Sequence, residues 1–522
     1  MAIDFPNWAD LGLDKRLSGE MRNGWDFQLM ECETVRYYFN SDVFNEQVPS
    51  EDGALADPDA PLLYPAGLNL VKMLCTAQSD AAFGEYENLP VRFATRQDEQ
   101  ATPTHQEAIN LAHKILEDSD AQKMLWELEL DRNVYGGGAL KITPVLHSRS
   151  HIRWSRVPRE SFYPVWDPDD PDELLEVYTV VAMTSDQARA RYGFEGRREI
   201  VHRIEHWTRE KYESYLDGQP LMEYSGYNPW GVVPFVYTPR LRFNYWWGDS
   251  LARDIIPIQN ELNLRVADIG DAIAYNAHPT RWGLNLPRDF NADNYPLGAN
   301  SMWNLGRQVG DLKPEVGVLE ASSAVQPGVL QHVQFLYDWA RTSSFAPPIA
   351  FGEDQGGGQR SGITLEIRLW PLVKSILRSR SYLTASLRRA LRISALILQQ
   401  KAFSDIPERA VSCILAESIV PKYHSVLPRD QRAIVDEVIK LLSTDPPSIS
   451  LETAQDLLGR GASEVSRIVA MLADDRLWGN HRNADEDRQF EEAENALREA
   501  VSTSKDQQED TSANSEAGVS DR

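Results

Sequence analysis

The sequence is poor in cysteine and has no long apolar run. Its three cysteines, Cys32, Cys75 and Cys413, are far apart and form no CxxC pair, so neither a disulfide framework nor a zinc ribbon is predicted. No stretch of about 18 apolar residues occurs, and no membrane span is expected. The opening residues, MAIDFPNWADLGLDKRL, lack the basic and apolar regions of a signal peptide. These absences favour a protein of a reducing cytoplasm, or one assembled there.

Positive charge is also scarce. The 522 residues include 53 Lys and Arg against 78 Asp and Glu, which gives a formal net charge of −25. This balance disfavours a protein that coats DNA by bulk charge, because neutralising phosphates requires clustered Lys and Arg. It is compatible with a protein that DNA passes without adhering. The length is sufficient for several domains.

Signatures of catalysis are missing as well. Two glycine runs, YGGGALKI and EDQGGGQRSG, lack the lysine and hydroxyl of GxxxxGK[ST] and the spacing of GxGxxG, so neither is interpreted as a phosphate-binding loop. No G-x-S-x-G or H-E-x-x-H is present, and these are common marks of hydrolases. We therefore predict that the chain is not an enzyme, has no catalytic residues and binds no cofactor.

Two groupings could suggest a metal ion. His202 and His206 are four residues apart, but their segment has the composition of a strand, in which such positions lie about 13 Å apart. Ordinary sheet histidines are the favoured interpretation. The acidic stretch WDPDDPDE at residues 166–173 contains prolines and is interpreted as a solvated loop, with an adventitious cation as the alternative. No metal site is predicted.

The first half of the chain changes from helical to strand-like composition. The stretch THQEAINLAHKILEDSDAQKMLWELEL, residues 104–130, predicts a helix whose capping box is Thr104 with Glu107. From about residue 139 to residue 241, β-branched and aromatic residues predict strands. The Asp-Gly pair in LDGQPL predicts a hairpin turn.

Two apolar stripes predict a pair of helices around a small insert. The first stripe recurs every third or fourth residue and consists of Leu251, Ile255, Ile258, Leu262, Val266, Ile269 and Ile273. Pro257 is expected to break or kink the early part of this helix. The second stripe consists of Val325, Val329, Val333, Leu336 and Ala340. Between the helices, RWGLNL, SMWNLG and VGVLEA are short strand candidates.

A glycine-rich stretch, FGEDQGGGQRSG, precedes the most basic segment of the chain. Residues 363–402 contain no glycine and predict one long helix, kinked near Pro371. They carry eight basic residues against Glu366 alone. The basic residues either face nucleic acid or pair with acidic faces of the same or a neighbouring subunit. Because residues 249–273 hold five acidic and two basic residues, salt bridges to that helix are the favoured interpretation.

The order of these elements resembles the portal proteins of tailed double-stranded-DNA bacteriophages, over about residues 60–475. NPWGVVPFVYTPR resembles the family's entry to the stem, and GDSLARDIIPIQNELNLRVADIGDAIAYNAHP resembles its first stem helix. SGITLEIRLWPLVKSILRSRSYL resembles the long helix after the channel loop, and LPRDQRAIVDEVIKLLSTDPPSISLETAQDLLG resembles the crown-side helices.

This resemblance implies a mixed, helix-dominated α+β subunit that assembles as a ring. The implied parts are a wing at 1–247, which is strand-rich from about 139, stem helices at 248–278 and 325–342, a β-rich clip at 279–324, a channel loop at 343–362, a long kinked helix with a return to the wing at 363–424, a crown at 425–480 and an acidic tail at 481–522. The tail has almost no large apolar residue after Leu497 and is expected to be largely disordered.

The resemblance also implies a role in the virion. Rings of about twelve portal subunits occupy one capsid vertex, among major capsid and scaffolding proteins, after assembly in the host cytoplasm. The terminase large subunit drives double-stranded DNA through the ring, and head-completion, adaptor and tail proteins bind later. The residues expected to face DNA are Gln355, Gly356, Gly357, Gly358, Gln359 and Arg360. A capsid or head-tail adaptor protein without a DNA channel is the alternative, and a nucleotide-dependent DNA enzyme is less favoured.

Overall fold

The fold is taken from a computed structural model, which describes part of the chain. The described residues are 19–45, 67–84, 89–96, 102–146, 148–194, 199–243, 246–277, 281–285, 313, 315–318, 327–353, 362–401, 403, 405–426 and 438–441. The chain divides into two units, Met1–Pro428 and Arg429–Arg522. In the second unit, the described stretch 438–441 is helical, and the elements below all belong to the first.

Helices and antiparallel sheets alternate along the first unit, as the predicted mixed α+β class requires. The helices are α1 (Gly19–Phe39), α2 (Leu70–Phe83), α3 (Pro103–Asp118), α4 (Ala121–Tyr135), α5 (Ser185–Tyr192), α6 (Leu251–Ala277), α7 (Pro327–Ser343), α8 (Gly362–Lys401) and α9 (Glu408–Leu415). Short 3-10 helices cover Asp42–Asn45, Arg159–Ser161, Met222–Tyr224 and Pro348–Phe351. The strands are β1 (Val91–Thr95), β2 (Gly137–Pro144), β3 (Ile152–Val157), β4 (Phe162–Trp166), β5 (Leu174–Thr184), β6 (Ile200–Thr208), β7 (Lys211–Leu216), β8 (Gln219–Pro220), β9 (Gly226–Tyr227), β10 (Phe235–Pro239), β11 (Arg281–Leu284), β12 (Glu315–Val318) and β13 (Ile419–Tyr423).

The largest sheet has the strand order β4-β5-β6-β7-β8, with β9 also paired to β7. A second sheet has the order β10-β2-β3, and β1 pairs with β13. The predicted hairpin joins β7 to β8. Its two turn residues, Asp217 and Gly218, have φ values of 48° and 81°, and two positive φ values are typical of the tight turn that matches strand twist.

The helix predicted over residues 104–130 is two helices, so that prediction was wrong. Thr102 caps α3, where its hydroxyl accepts from the backbone N–H of His105 and its own backbone N–H donates to the Nδ1 atom of the His105 ring. The predicted cap at Thr104 was therefore two residues too late, because Pro103 already occupies the first helical turn. Between α3 and α4, Asp120 has a φ of 49°. The Ser119 hydroxyl donates to the Ile115 carbonyl at 2.6 Å and accepts from the Trp154 N–H at 2.8 Å.

Three large apolar clusters hold most of the described elements together. One lies among α3, α4, α8, α9 and the sheet strands β2 and β3. The second covers one face of the largest sheet and includes residues of α1 and β10. The third joins α1, α2, α4, α6 and α7. The long helix α8 and the pair α6–α7 therefore belong to different clusters.

The two predicted stripe helices pack against each other through the third cluster. In α6, four stripe residues are buried, namely Leu251, Ile255, Ile258 and Leu262, as are Leu336 and Ala340 of α7. The predicted stripe does not stay buried to its end, because Ile273 is 57% exposed. Strands β11 and β12, which lie between these helices in sequence, pair antiparallel. The third strand candidate, residues 301–306, lies outside the described residues.

The prolines do not end either long helix. Pro257 lies inside α6 and Pro371 inside α8, and α8 continues for 40 residues, which corresponds to roughly 60 Å. Among the described residues, no helix combines the length and the hydropathy needed to cross a membrane.

Candidate functional site

A buried arginine fixes the chain immediately before the glycine-rich segment. Arg341, in the last turn of α7, is 2% exposed. Its guanidinium donates to Glu353, at 2.8 Å for one of the two contacts, and to the Tyr337 hydroxyl at 2.7 Å. It also lies 4.0 Å from the centre of the Tyr337 ring and 5.1 Å from that of Phe351. These four residues are called the loop anchor, and the hydrogen bond from Arg341 lowers the pKa of Glu353.

The turn after α7 has the geometry of a helix C-cap. The N–H of Ala346 donates to the Arg341 carbonyl at 2.9 Å, and the N–H of Phe345 donates to the Thr342 carbonyl at 3.1 Å. This pair of hydrogen bonds defines a Schellman motif, which requires a left-handed residue. Phe345 is that residue, with a φ of 55°. The side chain of Gln78 donates to the Ser344 carbonyl at 2.6 Å and ties the turn to α2.

A buried ion pair fixes α8 on the other side of the glycine-rich segment. Arg132 of α4 is fully buried and pairs with Glu129, which is also buried. Arg132 also donates to the carbonyls of Pro239 at 3.0 Å and Ser379 at 2.6 Å, and the Ser379 hydroxyl donates to Glu129 at 3.2 Å. Because loss of one partner would leave a buried charge unpaired, this network holds α4, β10 and α8 in one arrangement.

The arginines in the second half of α8 bind within the same chain. Arg388 pairs with Glu417, and Arg392 lies 3.8 Å from the same carboxylate. Arg389 lies 3.7 Å from a carboxylate oxygen of Asp172 and also donates to the Asp172 carbonyl. The prediction of salt bridges is confirmed for these three arginines, but the predicted partner was wrong. Their acids lie after α9 and in the loop before β5, not on α6.

Two further observations concern the basic helix α8 and the acidic segment at residues 166–173. Arg380 is buried, no carboxylate in the described part of the chain pairs with it, and burial lowers its pKa to about 10. Its Nε atom donates to the Ala82 carbonyl at 2.7 Å. Asp172 also accepts from Arg242 at 2.6 Å. Residues 167–173 form a largely exposed loop, as predicted, although one of its acids, Asp172, binds two arginines.

A model of the family described as phage portal protein, SPP1 Gp6-like, matches residues 23–460. The chain belongs to this portal protein family. A search of the curated proteins found no match. Portal proteins are structural proteins that form rings of subunits at a capsid vertex, together with capsid and packaging partners. The recognition made from the order of sequence elements is thereby confirmed.

The portal residues expected to face DNA, Gln355, Gly356, Gly357, Gly358, Gln359 and Arg360, lie outside the described residues. Their assignment stays a prediction. The structure describes both flanks, with Glu353 held by the loop anchor and α8 beginning at Gly362. Most of residues 425–480 and all of residues 481–522 also lie outside the described part.

Metal binding finds no support among the described residues, where no group of three or more His, Cys, Asp or Glu side chains is placed to hold an ion. His206 instead lies between two carboxylates, 2.8 Å from Glu176 and 3.2 Å from Glu213. It is buried and stacks on the Tyr178 ring at 4.0 Å. His206 is therefore part of the sheet, as the favoured interpretation held.

Sequence reasoning missed the loop anchor and the buried Arg132 network. The three-residue spacing of Glu129 and Arg132 is a signal for a helical ion pair. It does not show that the pair is buried, since exposed helices have the same spacing. For Arg341 and Glu353, separated by a helix end and a turn, no local pattern indicates contact.

Proposed function

We propose that this portal protein forms a dodecameric ring at the unique capsid vertex. The terminase would package double-stranded DNA through the ring, the DNA would later be ejected through it, and head-completion and tail proteins would attach to it. The observation that carries the proposal is the anchoring of both flanks of the glycine-rich segment. Its first flank ends where the exposed Glu353 pairs with the buried Arg341, and its second begins a 40-residue helix held by the Arg132 network.

The proposed division of the subunit follows its elements. The wing is 1–247, the stem 248–278 and 325–342, the clip 279–324, the channel loop 343–362, the long helix 363–424, the crown 425–480 and the tail 481–522. Mutual packing of α6 and α7 supports a two-helix stem. The pairing of β11 with β12 between them supports a small β-rich clip.

The composition of residues 355–360 suits a surface that DNA slides past. Glycine gives the backbone many accessible conformations at little steric cost, so the segment can follow an uneven duplex. Gln355 and Gln359 offer neutral hydrogen bonds to phosphates, which position the DNA without the counterion-release affinity of Lys and Arg. Arg360 adds one positive charge per subunit.

The proposal is tested by adding negative charge to this segment. We expect Gln355→Glu combined with Gln359→Glu to leave the ring intact, because glutamate is close to glutamine in size and the neighbouring glycines tolerate many backbone conformations. DNA packaging or retention in assembled heads should fall, because the new carboxylates repel phosphates around the ring. Gln399→Glu with Gln400→Glu is the matched control, since these exposed glutamines near the end of α8 add the same charge elsewhere.

Ring assembly is measured by native mass spectrometry and negative-stain electron microscopy, with a species near twelve protomers expected. Packaged DNA is measured by nuclease protection. A wild-type protein that stays monomeric across salt and protein concentrations would overturn the portal proposal. Rings of the loop variant that package and hold DNA as well as the control would instead overturn the DNA-facing role of residues 355–360 and leave the portal function standing.

A further inference from the structure

One face of α6 is exposed and mainly acidic. From residue 254 to residue 271, exposed or half-exposed side chains recur every third or fourth position, which is the spacing of a single helix face. These residues, called the acidic stripe, are Asp254, Pro257, Glu261, Leu264, Asp268 and Asp271. Arg265 binds Glu261 at 2.8 Å and Asp268 at 2.7 Å. It offsets one of the four acids, so the stripe keeps a net negative charge.

The first half of α8 has an exposed face of the opposite charge. Its residues, called the basic stripe, are Ile367, Trp370, Lys374, Leu377, Arg378 and Ser381. The Lys374 ammonium lies 4.5 Å from the centre of the Trp370 ring, and the Arg378 guanidinium lies 5.6 Å from that of Phe345. Among the described residues, no carboxylate pairs with Lys374 or Arg378. Both therefore differ from the arginines later in α8, which bind acids in the same chain.

Large apolar side chains lie within both stripes. Ile367 is 68% exposed, Trp370 is 53% exposed, and Leu377 is 46% exposed. Leu264 lies at the centre of the acidic stripe and is also exposed, as is Ile273 beyond its end. Clustered exposed apolar residues with a polar surround are typical of a protein interface. Charged side chains alone would be satisfied by water.

We propose that the basic stripe of one subunit docks on the acidic stripe of the next subunit in the ring. The inference rests on the proposed function, because it requires a ring. Within one subunit both stripes are exposed, so neither covers the other. Their lengths match, since residues 254–271 span about 25 Å and residues 367–381 about 21 Å of helix. Two different faces meet at such a contact, and repeated contacts of this kind close into a ring.

The charges and the apolar residues have separate parts in this contact. Ion pairs at the edge of an interface fix orientation and exclude wrong partners but add little affinity. Burial of Trp370 and Leu377 against Leu264 would supply most of the binding energy, because buried aromatic residues dominate interfaces. DNA suits the basic stripe less well, since phosphates bind polar donors and the stripe interleaves its two bases with three large apolar residues.

The experiment reverses charge on one stripe at a time. The first variant carries Lys374→Glu with Arg378→Glu, and the second carries Asp268→Lys with Asp271→Lys. We expect each variant alone to lose the ring species in native mass spectrometry. An equal mixture should recover rings, because alternating subunits then place opposite charges at every contact. A chain with all four substitutions should also recover rings. The control is Lys123→Glu with Lys401→Glu, two exposed lysines outside the stripes.

The outcomes separate this inference from the portal function. Rings formed by both reversed variants at the wild-type level would overturn the stripe contact and leave the portal function standing. Failure of both the mixture and the fourfold variant to recover rings would also overturn it, whether or not the single-stripe variants fold. Normal rings of the Lys374→Glu, Arg378→Glu variant with reduced DNA retention would assign the basic stripe to DNA. A wild-type protein without rings would contradict the proposed function itself.

Discussion

At the scale of single residues, His206 couples two carboxylates in the largest sheet. Its ring nitrogens face Glu176 at 2.8 Å and Glu213 at 3.2 Å. The hydrogen bond from His206 lowers the pKa of Glu176. Burial alone would raise the pKa of Glu213, but hydrogen bonds from Lys211 and His206 outweigh it and bring the pKa down to about 2.

These two glutamates should make the subunit sensitive to acid. A carboxyl whose pKa is lower in the folded than in the unfolded protein adds stability above its unfolded pKa. For Glu213 that contribution is complete above about 4.5, the usual value, and is lost as the pH falls toward about 2. The thermal unfolding temperature should therefore fall over this interval. The His206→Phe variant keeps an aromatic ring against Tyr178 but loses the hydrogen bonds to Glu176 and Glu213. Its unfolding temperature should therefore fall less steeply with decreasing pH.

His202→Phe is the matched control, because His202 lies on the same strand four residues earlier, opposite Ala182. Its pH profile should follow that of the wild type. If the thermal unfolding temperature falls equally steeply with pH in the His206→Phe variant and the wild type between pH 4.5 and pH 2, a stabilising role for the two carboxylates is contradicted.

At the scale of an element, the end of α7 depends on an unusual residue. Glycine is common at the left-handed position of a Schellman motif because it has no Cβ, yet this chain has Phe345 there. The left-handed conformation costs a non-glycine residue roughly 1 kcal/mol or more. The Phe345 ring lies beside Arg378 of the basic stripe. We interpret the phenylalanine as retained for that surface at a cost in local backbone energy.

This interpretation predicts that the glycine and alanine variants rank in opposite orders of stability at two positions. At position 345, the glycine variant should be more stable than the alanine variant by about 1 kcal/mol, because both lose the ring and glycine alone relieves the left-handed strain. At Phe335, an exposed position inside α7, the alanine variant should instead be more stable than the glycine variant by about 1 kcal/mol, because glycine is the weaker helix former. Denaturant unfolding measures both differences. Alanine equal to or above glycine at position 345 would contradict the cap geometry.

The elements that could be predicted from the sequence are those with a local cause. The stripe from Leu251 to Leu262 and the Asp217–Gly218 turn follow from spacing and backbone preference, and both are confirmed. The break between α3 and α4 could not be predicted, because Ser119–Asp120 contains neither proline nor glycine. Its geometry depends on the hydrogen bond from the Trp154 N–H to Ser119, which joins positions 35 residues apart.

The ion-pair partners of the basic helix α8 also could not be predicted from local sequence, because they are distant along the chain. The sequence shows that α8 is basic and that acidic segments exist, and it therefore predicts ion pairs. It does not show that Arg389 meets Asp172, 217 residues away, because that contact depends on where β5 and α8 lie in the folded subunit. Likewise, the glycine-rich composition draws attention to residues 355–360, whereas the pairing of Arg341 with Glu353 beside them is found only in the folded structure.

At the scale of the whole molecule, negative charge is concentrated toward the end of the chain. Residues 484–522 contain twelve acidic and four basic residues, a net charge of −8 out of −25. The family match ends at residue 460, before this stretch begins. After Leu497 the sequence has almost no large apolar residue, so we expect this segment to add little to the stability of the subunit.

We therefore predict that a chain shortened to residues 1–500 still forms rings with an unchanged thermal unfolding temperature. The deletion removes five acidic and two basic residues, so weaker charge repulsion should slightly favour assembly at low salt. Native mass spectrometry of full-length and shortened chains mixed before assembly should show mixed rings in random proportion, because both subunits offer the same interface. Exclusion of the shortened chain from such rings, or loss of its own rings, would mean that residues 501–522 form part of the subunit contact.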